Sequence, residues 1–76
     1  MKEKINELIK SIVPGADTAS SDFIADGVLE SMSVLRLVSA LEDEFDIDIS
    51  AGQVIKDNFK STDAIADFVE RMQDEQ

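Results

Sequence analysis

The sequence of 76 residues contains no cysteine and no histidine. Without cysteine the chain can form no disulfide bond and has no thiolate to offer a metal ion, which suits a reducing compartment. Histidine is the most common general base near neutral pH, so an enzyme that activates its own nucleophile is not expected. Acid–base catalysis by two carboxylates would need an apolar environment that separates their pKa values, and no pair is singled out in this way. We therefore predict that the chain is not an enzyme.

Basic residues are also few, since 7 Lys and Arg stand against 17 Asp and Glu and leave a formal net charge of -10. Such a chain repels nucleic acid and anionic membranes and attracts basic patches on protein partners. Apolar runs are too short to span a membrane, and the first residues do not resemble a signal peptide. We expect a soluble, cytoplasmic and monomeric protein that neither binds nucleic acid nor inserts into membranes.

Proline occurs once and glycine three times, so few residues interrupt regular structure. Apolar residues recur at helical spacing and predict three amphipathic helices over residues 2–13, 31–45 and 63–73. Pro14 and Gly15 end the first helix. Residues 14–30 are predicted to form a long loop pinned to the core by inward-facing Phe23, Ile24 and Leu29.

The segment after the second helix is predicted to be an extended link followed by one short helix. In "DIDI" (residues 46–49), Ile47 and Ile49 are expected to fill the core. Ser50 is expected to cap a short helix over residues 51–56 with Val54 and Ile55 on its buried side.

The last helix is expected to follow an inward-facing Phe59 and to begin at the N-cap Thr62. Residues 73–76 are expected to fray. The predicted fold is all-α: a small bundle of three main helices plus one short helix, with a long loop between helices 1 and 2, forming a single domain over residues 1–76.

Ser31 lies where "DGVLE" passes into the second helix, and two interpretations of it are open. It can be a helix-start residue whose hydroxyl bonds a free backbone N–H. However, Val34 stands where a capping box would need Glu or Gln, and the helix can also begin at Glu30. Ser31 can alternatively carry a phosphate group, because free N–H groups and the helix dipole favour an anion there.

The acidic run Glu42, Asp43, Glu44, Asp46 and Asp48 does not have the spacing of a calcium loop. Ser50 takes the place of the third ligand, Ala51 precedes Gly52, and no Glu closes the loop. We expect no metal site here, and we interpret the run as a solvated face or a docking face for basic partners.

Taken together, "DGVLESMSVLRLVSALEDEFDIDIS" (residues 26–50) resembles the acyl carrier protein family of phosphopantetheine-dependent carriers. The attachment motif of the family is typically Asp-Ser-Leu at the start of the second helix. Here it reads Glu30-Ser31-Met32, after Gly27 and Leu29. The final "NFKSTDAIADFVERM" is similar to the last helix of the family and its lead-in.

The resemblance implies that Ser31 receives a 4'-phosphopantetheine arm from coenzyme A, whose thiol then holds an acyl or aminoacyl group as a thioester. The implied partners are a phosphopantetheinyl transferase, a loading enzyme (an adenylating enzyme or an acyltransferase) and downstream acyl-transfer enzymes. By position, the implied docking surface comprises Glu30, Met32, Leu35, Arg36, Ser39, Glu42 and Asp43.

Several positions depart from the fatty-acid carriers of this family. Glu30 replaces the usual Asp, Met32 replaces the usual Leu, and Ser33 and Arg36 stand where acidic residues are general. The "LESM" run and the "NFKS" lead-in look closer to stand-alone carriers of specialised pathways, including the D-alanyl carriers. The alternative function is a non-catalytic, acidic helical interaction module without a prosthetic group.

Overall fold

The computed structural model describes residues 1–75, and these residues form helices without any strand. The four α-helices are α1 (Lys2–Ile12), α2 (Ser31–Phe45), α3 (Lys56–Phe59) and α4 (Thr62–Asp74), and a 3₁₀ helix covers Ala51–Gln53. The predicted bundle of three main helices and one short helix is confirmed. Because α4 continues through Asp74, the predicted fraying does not begin at residue 73, and residue 76 lies outside the described residues.

The core is formed by the apolar stripes of the three long helices, as their spacing predicts. Helix α1 packs against α2 and α4, and α3 packs against α4. Each large side chain removed from water contributes about 1.5–3 kcal/mol, so these stripes hold the helices together. The fully buried helix residues include Ile5, Ile9, Leu37, Leu41, Ile65, Phe68 and Val69.

The long loop between α1 and α2 is fastened to this core, also as predicted. Phe23 and Leu29 are buried, and Ile24 packs half-buried against them. The backbone N–H of Phe23 donates to the carbonyl of Lys60, and that of Leu29 donates to the carbonyl of Phe23 at 3.1 Å. Gly27 has a φ of 75°, which a residue with a side chain rarely adopts. The loop therefore returns the chain to one defined point, the start of α2.

Helix α2 ends in a tight reversal that buries the following residue. Asp46 adopts the left-handed conformation with φ 54°, and the N–H of Ile47 donates to the carbonyl of Glu42 at 3.3 Å. This is the pattern of a Schellman cap, which turns the chain back toward the core. Ile47 is buried and Ile49 is half-buried, so the predicted extended link is confirmed.

The predicted short helix over residues 51–56 is wrong in its position and in its buried side. Ser50 does precede a 3₁₀ helix, and its N–H donates to Oε1 of Gln53 at 3.0 Å. Helix α3, however, begins only at Lys56, after Ile55 in an extended conformation. Val54 is half-buried, whereas Ile55 is 51% exposed, because the turn of α3 directs Phe59 inward instead. Phe59 packs against Phe68 with ring centroids 5.6 Å apart.

The predicted N-cap of α4, Thr62, is wrong: the N-cap is Ser61. The backbone of Ser61 is extended, and its hydroxyl accepts a hydrogen bond from the N–H of Ala64 at 3.1 Å. The hydroxyl of Thr62 is buried and donates to Oδ1 of Asn6 at 2.6 Å. The Thr62 hydroxyl is thus engaged by Asn6 of α1, and the hydroxyl of Ser61 caps the helix instead.

We expect Ser61→Ala to lower the free energy of unfolding by about 1 kcal/mol, because one N–H of the first turn loses its acceptor. Chemical denaturation followed by circular dichroism measures the loss. Ser39→Ala is the matched control, since Ser39 is exposed within α2 and its replacement is expected to have an effect close to zero. Equal stabilities of the two variants would contradict the assignment of the cap.

Candidate functional site

Ser31 is the first residue of α2 and is exposed to solvent. Glu30 precedes it in an extended conformation, with φ -115° and ψ 175°, and supplies no side-chain cap to the helix. No side chain or backbone group among residues 1–75 forms a hydrogen bond with the Ser31 hydroxyl. The interpretation of Ser31 as a residue whose hydroxyl bonds a free N–H is therefore wrong, and its oxygen is available for chemistry.

An open cleft of about 590 Å³ lies beside Ser31, between the start of α2 and helix α3. Leu29 and Phe59 contribute buried side chains to its wall, and Gly27 lies at its edge. The remaining lining residues are Ile24, Glu30, Ser31, Val34, Leu35, Val54, Ile55 and Lys56. The cleft is thus mainly apolar, and Glu30 and Lys56 are the charged residues of its lining.

The ammonium group of the cleft is held by an ion pair that joins α3 to the long loop. Nζ of Lys56 lies 3.5 Å from Oδ2 of Asp22. The other carboxylate oxygen of Asp22 accepts a hydrogen bond from the N–H of Ala25 at 3.0 Å. The Ala25 N–H, together with the charge of Lys56, holds the pKa of the Asp22 carboxyl below its usual range.

The surface predicted for docking lies mainly along the solvent face of α2. Met32 and Leu35 are exposed to 62% and 56%, which is unusual for large apolar side chains on a helix that also has a buried face. Arg36, Ser39 and Asp43 are exposed on the same helix. Glu30 and Leu35 also line the cleft, so the predicted surface and the cleft share an edge.

Glu42 differs from the other predicted docking residues. It is half-buried, and its Oε2 accepts a hydrogen bond from the N–H of Ile49 at 2.9 Å. The carboxylate therefore stabilises the link after α2, and it is less available to a partner than the carboxylate of Asp43.

Sequence reasoning predicted no role at the site for six residues of the cleft: Ile24, Val34, Val54, Ile55, Lys56 and Phe59. Their contribution depends on how the long loop and α3 approach α2, and helical periodicity contains no signal of this approach. A role for Ile55 and Lys56 at the site could have been predicted only if the start of α3 at Lys56 had been known.

Two further findings concern residues 1–75. Within them, no three Asp or Glu side chains converge closely enough to hold a metal ion. None of their helices combines the length and apolar character needed to cross a bilayer.

The sequence matches the family described as "Phosphopantetheine attachment site" over residues 2–69. It is 32% identical to the D-alanyl carrier protein of Lactococcus lactis subsp. lactis (strain IL1403), in an alignment covering 99% of each chain. The D-alanyl carrier protein of Leuconostoc mesenteroides subsp. mesenteroides is 27% identical, with 95% of each chain covered. No solved structure matches the chain.

The family match spans α1, α2, α3 and the first half of α4, so it includes the exposed serine and the cleft. Members of this family hold 4'-phosphopantetheine covalently, and a carrier of this kind works with partner enzymes that modify and load it. The prosthetic group also supplies the thiol that a sequence without cysteine lacks. The chain therefore belongs to the acyl carrier protein family, as a phosphopantetheine carrier.

Proposed function

We propose that Ser31 is the attachment site of 4'-phosphopantetheine and that the chain acts as one non-catalytic carrier domain in the cytoplasm. The observation that carries this proposal is the Ser31 hydroxyl, which is exposed at the start of a 15-residue helix and has no hydrogen-bond partner among the described residues. A transferase can approach such a hydroxyl without breaking a contact of the fold.

Three other serines are less suited to modification because their hydroxyls stabilise the fold. The Ser20 hydroxyl donates to Asp26 and accepts from the N–H of Asp22. The Ser50 hydroxyl donates to Gln53, and the Ser61 hydroxyl caps α4. Modification at any of these three would remove a hydrogen bond that the structure uses.

The start of α2 fits the phosphate of the prosthetic group. The N–H groups of the first helical turn have no acceptor within the helix, and no side chain caps this end of α2. Free N–H groups and the helix dipole both stabilise an anion at this position. The first turn of α2 contains no acidic residue, and Glu30, directly before it, is the acidic neighbour of Ser31.

The chain positions Ser31 but does not activate it. In the attachment step, Ser31 Oγ forms the bond to phosphorus and the nucleotide half of coenzyme A leaves. A base must accept the hydroxyl proton, and the sequence has no histidine to do so. The base is therefore assigned to the transferase.

The terminal thiol of the attached group supplies the thioester bond by which cargo is held. We propose that the cargo is a D-alanyl group, loaded by an adenylating enzyme. Two observations support it: the similarity to D-alanyl carrier proteins extends over 99% of the chain, and Ser33 and Arg36 depart from the acidic surface of fatty-acid carriers. An acyl cargo loaded by an acyltransferase is the alternative.

Partner enzymes are proposed to dock on the solvent face of α2. Exposed Met32 and Leu35 offer apolar contact area beside Ser31, and a methionine adapts to differently shaped surfaces. Arg36 lies on the same face and has no ion pair within residues 1–75. It is therefore free to pair with a carboxylate of a partner.

We expect the chain to gain the mass of one phosphopantetheine group when it is incubated with coenzyme A and a broad-specificity phosphopantetheinyl transferase. Intact mass spectrometry measures the gain, with a known carrier protein as positive control. Ser31→Ala is expected to abolish it completely, while Ser33→Ala retains it. Modification of Ser31→Ala, or failure of the unaltered chain under conditions that modify the control, would refute the assignment.

We expect the modified chain to gain the mass of one alanyl group when a D-alanine-adenylating enzyme, ATP and D-alanine are added. L-alanine serves as the stereochemical control, and hydroxylamine, which cleaves thioesters, is expected to remove the added mass. Loading by an acyltransferase with an acyl donor, together with no loading by D-alanine, would establish the alternative cargo.

We expect Arg36→Glu to raise severalfold the KM of the loading enzyme for the carrier, because a carboxylate of the partner would then face a like charge. The fold should be unchanged, since the residue is exposed. Lys10→Glu makes the same change in net charge at an exposed position of α1 and is expected to alter KM far less. Equal effects of the two variants would show that the total charge, and not a contact at Arg36, governs docking.

A further inference from the structure

We propose that Lys56 exchanges its ion pair with Asp22 for one with the phosphate on Ser31 when the prosthetic group is attached. The position of the Lys56 charge in the cleft would then depend on the modification state of the carrier. This inference rests on the proposed attachment at Ser31. It concerns a residue outside α2, and the resemblance to the carrier family implied no role for it.

Lys56 shares the cleft with the serine that would carry the phosphate. It is the first residue of α3, and it is the one cation among the described residues that line this cleft. A lysine ammonium on a flexible four-carbon stem can turn toward a new partner without a change in the backbone. Glu30, the other charged residue of the lining, repels a phosphate, so Lys56 is the residue of this cleft that can balance its charge.

The existing pair with Asp22 is weak enough to be exchanged. The distance from Nζ to Oδ2 is 3.5 Å, and the two side chains are 59% and 32% exposed. Ion pairs exposed to this extent are screened by water and contribute little to stability. Asp22 also keeps its hydrogen bond from the Ala25 N–H at 3.0 Å, so departure of Lys56 leaves no buried charge without a partner.

The charge of the chain favours the exchange. A phosphodiester adds a further negative charge to a protein whose formal net charge is already -10. Asp22 keeps a donor in the Ala25 N–H, whereas a phosphate on Ser31 would lie next to the carboxylate of Glu30, which lines the same cleft. The ammonium of Lys56 therefore neutralises more unbalanced charge beside the phosphate than beside Asp22.

The exchange would alter the surface that partner enzymes meet. Ile55 directly precedes Lys56, is 51% exposed and borders the same cleft as Leu35 of α2. When the Lys56 side chain turns toward α2, its charge would move to the side of the cleft formed by Ser31 and Leu35 of the docking face. A transferase that needs the unmodified carrier and a loading enzyme that needs the modified one would then encounter different surfaces.

The exchange can be followed by NMR in the unmodified and modified forms of the full chain. Lys56 favours the ionised form of Asp22, so its departure is expected to raise the pKa of that carboxyl toward its usual value. A pH titration of the ¹³C carboxyl signal measures this in both forms. The ³¹P signal of the modified chain reports the environment of the phosphate.

Two variants separate the proposed contact from a general effect of charge. In Lys56→Gln, the pKa of Asp22 is expected to change little on modification, and the ³¹P signal is expected to differ from that of the unaltered chain. Lys60→Gln removes the same charge four residues later, outside the cleft, and is expected to behave like the unaltered chain in both measurements.

The outcomes distinguish this inference from the proposed function. If intact mass shows full modification but the Asp22 titration is the same in both forms, the exchange is overturned while attachment at Ser31 stands. A rise in the pKa of Asp22 that is equally large in Lys56→Gln would come from the phosphate charge alone and would also overturn the exchange. No gain in mass would overturn the attachment and this inference together.

Discussion

Burial of Phe23 and Leu29 is the constraint that places Ser31. The long loop between α1 and α2 would otherwise leave the start of α2 undefined, because ordering each loop residue costs about 1–2 kcal/mol of backbone entropy. Two large side chains withdrawn from water offset part of this cost, at about 1.5–3 kcal/mol each. The hydrogen bond from the Phe23 N–H to the Lys60 carbonyl joins the loop to the segment between α3 and α4. The exposed serine is thus held in place by the burial of loop residues that precede it in the chain.

The chain positions the attachment point, whereas the reactive thiol comes from the prosthetic group. The chain contributes an accessible hydroxyl at a helix start, an apolar cleft and an exposed apolar face on α2, whereas the thiol belongs to the prosthetic group. This division explains why a small, histidine-free domain suffices. A carrier has no need to exclude water from a reacting bond, because the partner enzyme provides that environment. What the carrier needs is a rigid attachment point with a surface that several enzymes can bind.

Periodicity predicted most of the fold because one stripe of apolar residues defines each long helix. The predicted range of α2, residues 31–45, is the one observed, and Glu30, which was left open as an earlier start, is its N-cap. Prediction failed where two neighbouring residues were almost equally suited to the same role. Ser61 and Thr62 are both good caps, and the hydrogen bond from Thr62 to Asn6 decided between them. Val54 and Ile55 were predicted to be buried together, but only Val54 packs on the core, whereas Ile55 is the extended and exposed N-cap of α3, which buries Phe59 against Phe68.

Four properties follow directly from the amino-acid sequence: the chain is helical, it is strongly acidic, it has neither thiol nor imidazole, and Ser31 stands at the start of its second helix. These properties depend on composition and on contacts between residues close in the chain. Two others depend on the packing of the chain: the Ser31 hydroxyl has no partner among the described residues, and Lys56 and Ile55 line the same cleft as Ser31. That proximity arises because the loop and α3 pack on the same core, so it depends on residues far apart in sequence.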